Sequence, residues 1–313
     1  MAILQKTLVI TESNLAELHR LDLAVKQLSG FSREQVRGLL DHQCVKLNGA
    51  VTDEPGQPLS VDDRIEIAFD PHHRYHPKKK IRGGLGFGIV YEDRHLIVVE
   101  KPAALLTVPT PKNDRGTLLE RVANYVKIVS RGKGAFQVHR LDRGVSGLLI
   151  FGKTTELAQM LRDQFAMHKP EREYVAIVRG KLDKPEGMIE SFLATDRDLN
   201  RYSTDDESIG QHAVTHYRVI EELAGASVVQ VWLETGRRNQ IRVHFAEAGH
   251  PLIGDQRYRA DEAADSRWTH ARIALHARLL GLSHPMTGEP LRFESPLPHE
   301  MKNFIRAAKR KSR

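Results

Sequence analysis

The 313-residue sequence predicts an α+β protein in which a small N-terminal module precedes a larger domain built on a mixed β-sheet. A chain of this length accommodates about two domains, and its 40% hydrophobic residues are enough to form their cores. Beyond residue 90, apolar or alternating runs typical of strands outnumber helical patterns and do not alternate regularly with them. This order argues against a doubly wound parallel sheet, which needs strands and helices in alternation.

Residues 1–70 carry the pattern of a compact helix and strand module. A first helix is predicted to end at Gly30, because one helical face is formed by Leu21, Ala24, Val25 and Leu28. A capping box in "SREQ" predicts the start of a second helix, which points Arg33 and Arg37 outward. The stretch "VKLNGAV" then predicts a strand with a turn at "NG", and the alternating "DRIEIAF" predicts its partner.

Two basic segments flank the larger domain. Residues 71–89 are predicted to be a linker, because they combine proline, glycine, histidine and lysine without hydrophobic periodicity. Residues 301–313 are predicted to be a basic C-terminal tail. Residues 70–89 carry a net charge of +4 and residues 301–313 a net charge of +6, so the rest of a chain with net charge +7 sums to −3. With a pI of about 9.4, this distribution favours a polyanionic partner such as nucleic acid.

Composition excludes several kinds of site. Cys44 is the only cysteine, which rules out an intrachain disulfide, a Cys-rich zinc site and a CxxC redox pair. His72, His73 and His76 lie in the polar linker, where solvation is the ordinary state, so we assign no metal.

The sequence shows no export signal and no run that approaches the roughly 18 apolar residues of a membrane span. We therefore expect a cytoplasmic protein without membrane contact, and a monomer as the default.

The larger domain, residues 90–300, is predicted to be rich in strands. Its apolar or alternating runs are "HLIVVEK", "SGLLIFGK", "EYVAIVRG", "SVVQVWLET" and "IALHARLLGL". Helices are predicted at residues 154–167 and around residues 238–248.

The stretch "HRLDRGVSG" places Asp142 between Arg140 and Arg143. Opposite charges within a few ångströms favour the ionised form of a carboxyl group, so Asp142 is expected to be a poor proton donor but a usable nucleophile. Gly144 and Gly147 allow unusual torsions or the close approach of a ligand. A lone Arg–Asp pair is usually a surface contact worth less than about 1 kcal/mol, so the assignment depends on the motifs downstream.

Two downstream stretches carry further candidates. In "REYVAIVRG", Tyr174 stands at the head of a predicted strand. In "ETGRRNQIRVHF", Arg238 and Arg242 fall four residues apart, which would place them on one face of the predicted helix. The N-terminus of a helix with added arginines is a suitable place for phosphate groups.

Five stretches in this order closely resemble the RluA-type RNA pseudouridine synthases over residues 90–298: "VVEKPAALLTVP", "HRLDRGVSGLLIFGKT", "REYVAIVRG", "TGRRNQIRVHFAEAGHPLIGDQRY" and "ALHARLLGLSHPMTGEPLRFESPLP". Over residues 20–69, "RLD", "SREQVRGLL" and "VKLNG" resemble the S4 RNA-binding domain. Gln43, Cys44 and Asp62 stand where S4 domains usually have glycine, which questions the local turn shapes more than the fold.

The resemblance implies a pseudouridine synthase fold, with a mixed, mainly antiparallel sheet, and a cofactor-free isomerisation of uridine in RNA. Large-subunit ribosomal RNA is the expected substrate, with tRNA as the alternative. By resemblance, Asp142 is the catalytic aspartate, Tyr174 stacks on the target base and assists proton removal at C5, and Arg242 pairs with the aspartate. Arg140 fills the gap left by the flipped nucleotide. The arginines expected to contact RNA are Arg140, Arg143, Arg237, Arg238, Arg33 and Arg37.

One departure from the family pattern bears on activity. Asn239 stands where the family usually has histidine in "GRxHQIR", and asparagine cannot titrate near neutral pH. Asn239 alone therefore favours an alternative, a catalytically silent RNA-binding or ribosome-assembly factor on the same scaffold. A carboxylate hydrolase would need a second acid near Asp142, for which the sequence offers Glu173, Glu234 and Asp255.

Overall fold

The structure is a computed structural model, which describes residues 3–71, 75, 84–110, 114–130, 132–167 and 169–310. The chain forms two compact units, Met1–Arg82 and Gly83–Arg313. The boundary between them falls inside the predicted linker of residues 71–89.

The first unit is a small α+β module. Its elements are β1 (Leu4–Val9), α1 (Glu12–Leu15), α2 (Leu21–Ser29), α3 (Arg33–Asp41), β2 (Val45–Leu47), β3 (Ala50–Val51) and β4 (Arg64–Phe69). The strands form an antiparallel sheet in the order β1-β4-β2-β3. Apolar residues of α2 and α3 pack against this sheet in one core. The two helices and the β2–β4 pair confirm the predictions, whereas β1, largely exposed and without a buried face, is absent from them.

Local signals explain the turns of this unit. The Ser32 hydroxyl accepts the Gln35 N–H at 3.3 Å, and the Gln35 side chain accepts the Ser32 N–H at 3.1 Å, which completes the capping box. Asn48 and Gly49 have φ of 51° and 82°, the left-handed conformation that a tight two-residue hairpin turn needs.

Two of the three positions where glycine was expected keep a glycine-like backbone. Gln43 and Asp62 have φ of 59° and 74°, in the left-handed region that is uncommon for residues with a Cβ atom. The missing glycines therefore leave the turn shapes intact, at a cost in backbone strain.

The structure describes residues 71, 75 and 84–89 of the predicted linker. Tyr75 belongs to the core of the first unit, because its side chain is 8% exposed and its hydroxyl accepts the Asp70 N–H at 2.9 Å. His72, His73 and His76 lie outside the described residues.

The second unit contains the remaining elements. These are β5 (Gly88–Glu92), β6 (Leu96–Lys101), α4 (Leu118–Ile128), β7 (Phe136–Gln137), β8 (Ser146–Gly152), α5 (Thr155–Ala166), β9 (Glu171–Arg179), β10 (Glu186–Thr195), β11 (Arg201–Thr204), β12 (Gln211–Leu223), β13 (Ala226–Leu233), α6 (Gln240–Glu247), α7 (Ala260–Ala263), β14 (Leu275–Ser283), β15 (Pro290–Glu294) and α8 (His299–Arg310). No helix in the described ranges is both long and apolar enough to cross a membrane.

An 11-stranded sheet organises this unit. Its order is β11-β10-β12-β13-β9-β14-β8-β6-β5, with β15 paired to β14 and β7 paired to β8. Among the described strands, only β8 and β14 pair in parallel. The prediction of a mixed, mainly antiparallel sheet is confirmed, as are the five predicted strands and the helices at α5 and α6.

The C-terminal segment differs from its prediction. Residues 299–310 form α8, and three side chains of this helix, at most 2% exposed, pack into a core beside Trp268: Met301, Phe304 and Ala308. Lys302 and Lys309 lie on its exposed side. The prediction of a tail is therefore wrong for residues 301–310, because the apolar helical spacing outweighs the high net charge. Residues 311–313 lie outside the described part.

The Phe304→Ala substitution is expected to lower the free energy of unfolding by about 3–5 kcal/mol, because a buried ring leaves a cavity that collapses only in part. The ring packs edge-on against Trp268, with 5.7 Å between the centroids. Chemical denaturation measures the change. Asn303→Ala, on the exposed side of the same helix, is the control and should change stability by less than about 0.5 kcal/mol. Equal stability of the two variants would contradict the assignment of α8 to the core.

Candidate active site

The segment that carries Asp142 joins β7 to β8 and is held by side chains and backbone from elsewhere. The Thr107 hydroxyl donates to the Leu141 carbonyl at 2.6 Å and accepts the Leu141 N–H at 3.2 Å. On the other side, the Gly144 N–H donates to the Ala103 carbonyl at 2.8 Å. The backbone is therefore fixed on both sides of Asp142, which restricts where its carboxylate can point.

Lys101 supports the same segment, although no pattern in the sequence points to it. Its side chain is fully buried, and Nζ donates to the carbonyls of Pro102 at 3.1 Å and Leu105 at 2.6 Å. Burial lowers the pKa of Lys101 to about 7, against the opposing charge of Asp142. These bonds order residues 102–105, which include the carbonyl that receives the Gly144 N–H.

His139 anchors the start of the segment. Its Nε2 accepts the Ile150 N–H of β8 at 3.2 Å, and its ring stacks on Phe165 with 4.7 Å between the centroids. Burial lowers the pKa of His139 to about 3, so the ring is neutral at physiological pH, as its acceptor role requires.

The sequence predicts that Gly147 allows unusual torsions or the close approach of a ligand. In the structure, the group that approaches Gly147 closely is protein backbone. Its φ is 121°, and a Cβ atom there would lie 2.2 Å from the Ala277 carbonyl oxygen of β14. The parallel pairing of β8 with β14, which places the end of the Asp142 segment, therefore requires glycine at this position.

Arg242 of α6 is the ionic partner of Asp142. Its Nη1 lies 3.3 Å from Asp142 Oδ2, while Nε and Nη2 bind the Asp255 carboxylate at 2.7 and 2.9 Å. Arg242 is 7% exposed and Asp255 is 1% exposed. Burial alone would lower the pKa of Arg242, but the bonds and charges of both carboxylates outweigh it and raise the pKa above its ordinary value. Arg242 is therefore a permanently charged donor aimed at Asp142.

Two expectations about the arginines are wrong. Neither Arg140 nor Arg143, both described and both exposed, forms an ion pair with Asp142, whose partner comes instead from α6. Arg238 precedes α6, which begins at Gln240, so it shares no helical face with the buried Arg242. The left-handed backbone of Asn239, with φ of 57°, breaks the spacing that the sequence suggested.

Asn239 connects Arg242 to the hydroxyl of Tyr258. Its Oδ1 accepts Arg242 Nη1 at 3.1 Å, and its Nδ2 donates to the Tyr258 hydroxyl at 2.9 Å. The Arg242 guanidinium lies over the Tyr258 ring, 5.0 Å from the centroid. Nη1 of Arg242 is therefore held between Asn239 and Asp142, so the amide supplies an orienting contact without titrating.

Tyr174 lies in β9 and is 8% exposed. Burial raises its pKa, with a smaller opposing effect from Arg172 and a supporting one from Asp142. The phenol is therefore protonated at neutral pH.

A cavity of about 120 Å³ brings most predicted site residues together, and for this reason we call it the catalytic pocket. Its lining includes Arg140, Asp142, Tyr174, Arg237, Arg238, Asn239 and Arg242. Arg143 lies outside this lining, and Arg33 and Arg37 lie on the exposed side of α3 in the first unit. The supporting residues Thr107 and Tyr258 carry no signal in the sequence, because their partners are distant along the chain.

Each of the acids considered for a hydrolase has a basic partner of its own. Asp255 pairs with Arg242, Glu173 accepts from Arg278 at 2.5 Å, and Glu234 contacts His216 at 2.6 Å. Among the described residues that line the catalytic pocket, Asp142 is the only acid. Within the described ranges, no group of three or more His, Cys, Asp or Glu residues could hold a metal ion.

The fold is that of RNA pseudouridine synthases. The human protein RNA Pseudouridylate Synthase Domain Containing 4 superposes with a TM-score of 0.59 at 21% identity, covering 70% of this chain and 92% of that one. The human Domain Containing 1 protein gives a TM-score of 0.54 at 23% identity, covering 69% and 86%.

The sequence comparisons establish the family. The family model described as RNA pseudouridylate synthase matches residues 95–247, and the S4 domain model matches residues 19–65. Ribosomal large subunit pseudouridine synthase D of Nitrosomonas europaea is 35% identical over 300 residues, 94% of this chain and 85% of that protein. The Pasteurella multocida protein of the same name is 33% identical over 311 residues, 95% of this chain and 94% of that protein. The chain therefore belongs to the RNA pseudouridylate synthase family and is an isomerase that acts on RNA.

The Tyr258→Phe substitution is expected to lower kcat roughly five-fold with little change in KM, because it removes one hydrogen bond that holds Asn239 and, through it, Arg242. Asn239→Ala should cost at least as much, and adding Tyr258→Phe to it should cost little more. Steady-state rates of the three variants measure this coupling. Tyr91→Phe removes a hydroxyl bonded to Asp93, outside the pocket lining, and is the control. Independent, additive effects would contradict the connection.

Proposed function

We propose that this enzyme converts uridine to pseudouridine in large-subunit ribosomal RNA, with Asp142 as the catalytic carboxylate. The observation that carries the assignment is the contact of Asp142 with the buried Arg242, in a pocket where Asp142 is the only acid among the described lining residues. The names of the relatives from Nitrosomonas europaea and Pasteurella multocida support the ribosomal substrate. A monomer stays the default proposal, and a ribosomal substrate fits a cytoplasmic enzyme.

The isomerisation leaves the composition of the RNA unchanged. The N1–C1′ bond breaks, the uracil ring turns, and C5 bonds to C1′; the hydrogen at C5 leaves to solvent, and N1 gains a proton. No electrons are gained or lost, so the reaction calls for no redox cofactor. In this proposal, Asp142 acts on the ribose or the base while Arg242 fixes the orientation of its carboxylate.

Tyr174 is proposed to stack on the target base. Its ring stands in the wall of the catalytic pocket, and burial raises the pKa of its hydroxyl, so the hydroxyl is protonated before substrate binds. Arg140 and Arg238, which line the same pocket, are proposed to contact the RNA, with Arg140 filling the gap left by the flipped nucleotide. Arg237, another lining residue, is proposed to contribute its charge.

The Asp142→Asn substitution is expected to abolish pseudouridine formation while RNA affinity stays within several-fold, because asparagine keeps the shape of the side chain and removes its charge. Release of tritium from RNA containing 5-tritiated uridine measures the reaction, since C5 loses its hydrogen only when it bonds to C1′. Asp163→Asn, on α5 and outside the pocket lining, is the control.

The outcomes of this assay separate the alternatives. Substantial turnover by Asp142→Asn would overturn the role of Asp142. Absence of tritium release by the wild-type protein, on every large-subunit RNA fragment, would favour a silent RNA-binding factor. Release of free uracil would indicate a hydrolase.

The first unit is proposed to bind RNA through Arg33 and Arg37, which are exposed one helical turn apart on α3. Changing both to glutamine is expected to weaken binding, because each arginine that contacts a phosphate displaces counterions from the RNA. The slope of log affinity against log salt should become shallower by about 0.7–0.9 for each phosphate contact that the change removes. The rate at saturating RNA should stay unchanged. Binding titrations across a salt series measure the slope.

The control for this pair is the double variant Lys46→Gln and Arg64→Gln. Both residues are exposed on the sheet of the same unit, alternating with residues buried under the helices, such as Val45 and Ile65. The control removes the same charge from the opposite face. An equal weakening in both double variants would show that the unit contributes only its net charge.

A further inference from the structure

A second cavity lies next to the catalytic pocket. It has a volume of about 600 Å³ and shares Arg242 with the wall of the smaller pocket. Its wall also contains Gly144, two residues from Asp142, a chain distance of at most roughly 7 Å. We call it the arginine cavity, because four of its lining residues are Arg143, Arg242, Arg257 and Arg272.

The described lining of the arginine cavity has no acidic side chain to balance these cations. The other lining residues are Ala104, Gly144, Gly254, Gln256, Ala271 and Ile273. Of the four arginines, Arg242 is compensated by Asp255 and Asp142. The charge of the cavity therefore depends on the contacts of the remaining three, Arg143, Arg257 and Arg272.

Two of these three arginines make mostly neutral contacts. Arg257 donates to the Asn200 side chain at 2.7 Å and to the Leu199 carbonyl at 3.1 Å. Arg272, 7% exposed, donates to the Ser146 hydroxyl at 2.8 Å and to backbone carbonyls, and the Glu300 carboxylate lies 3.8 Å from its guanidinium.

Arg143 is exposed and has neither an ion pair nor a side-chain hydrogen bond with any described residue. Its charge contributes to lowering the pKa of Asp114, after the larger effect of the Thr110 hydroxyl. The arginine cavity therefore combines a guanidinium without a described partner, Arg143, with Arg257, held by neutral groups, and Arg272, held by neutral groups and a long ion pair with Glu300.

The chemistry of the wall selects the ligand. Guanidinium groups bind phosphate oxygens through paired N–H donors, and a concave basic surface concentrates polyanions. Base recognition on single-stranded RNA normally uses aromatic rings as stacking surfaces. The described lining of the arginine cavity includes no aromatic residue, so it suits a phosphate better than a base.

We propose that the arginine cavity binds a phosphodiester of the RNA strand next to the target uridine. Arg143 and Arg257 contact the phosphate oxygens, and the buried Arg272 adds its charge from the wall. This inference rests on the proposed function, because it needs RNA in the catalytic pocket. Gly144 in the wall of the arginine cavity belongs to the same fixed segment as Asp142. A phosphate held in this cavity would therefore set how far the target nucleotide enters the catalytic pocket.

The test combines neutral linkages in the RNA with neutral side chains in the protein. A short RNA hairpin with one target uridine is made as a series, each member carrying a single uncharged methylphosphonate linkage at a different position near the uridine. Affinity for each member is measured with the wild type and with the double variant Arg143→Gln and Arg257→Gln. Arg218→Gln with Arg292→Gln, two exposed arginines outside the cavity, is the control of equal charge change.

We expect one linkage beside the uridine at which neutralisation weakens wild-type binding roughly ten-fold, the effect of removing one charge-assisted hydrogen bond. The same linkage should change binding of the double variant less than two-fold, whereas the control variant should behave like the wild type. KM should rise in the double variant, with kcat on unmodified RNA falling less.

Equal sensitivity of all three proteins at every linkage would overturn the proposal. Arg143→Gln alone keeps the test valid if removing the Arg257 hydrogen bonds lowers stability, because the exposed Arg143 side chain forms no hydrogen bond or ion pair within the described part of the chain. Pseudouridine formation by the wild type is measured in the same samples. Failure of that reaction would count against the proposed function, whereas a missing linkage effect in an active enzyme would count against the arginine cavity alone.

Discussion

The catalytic pocket depends on the Arg242 guanidinium, because this group joins parts of the chain that are far apart in sequence. Two of its nitrogens bind Asp255, and the third lies against both Asp142 and Asn239. Removing charges from water costs several kcal/mol per ion, so a buried ion pair is tolerated only where its hydrogen bonds are complete. Asp255 meets this condition, because one of its oxygens also accepts two backbone N–H groups of the following turn. Both the fold near α6 and the aim of Asp142 therefore rest on the same guanidinium.

The arrangement also sets the balance of charge around Asp142, the proposed catalytic carboxylate. One guanidinium faces two carboxylates, and the bidentate contact belongs to Asp255, so Arg242 orients Asp142 without cancelling its negative charge. In the proposals above, the positive charge for RNA binding comes from other arginines that line the two cavities. Among the described residues, none of these arginines forms an ion pair with Asp142. A direct bidentate pair between Arg242 and Asp142 would bind the carboxylate more strongly and leave it less available to the substrate. Arg242 therefore holds the Asp142 carboxylate in position but does not neutralise it.

Sequence patterns predict the parts of this site whose chemistry fixes the residue type, and they miss those that depend on long-range contact. Motif order identifies Asp142, Tyr174 and Arg242, which meet in one pocket. Asp255 is recognisable only as a possible second acid, because no local pattern shows that it turns toward α6. Helix α8 escapes prediction for another reason: the net charge of the segment suggests a tail, although apolar residues stand at helical spacing in it, at Met301, Phe304 and Ala308.

Asn239 illustrates why a change in a motif does not by itself imply loss of activity. The contact with Arg242 requires an acceptor, and the contact with Tyr258 requires a donor or acceptor on the other side. A neutral imidazole has one nitrogen of each kind, but on protonation it loses its acceptor and repels the guanidinium. An amide carries acceptor and donor at every pH, so it preserves the orientation of Arg242 without a titrating group. The substitution that favoured a silent scaffold from the sequence is therefore compatible with an intact pair of Arg242 and Asp142.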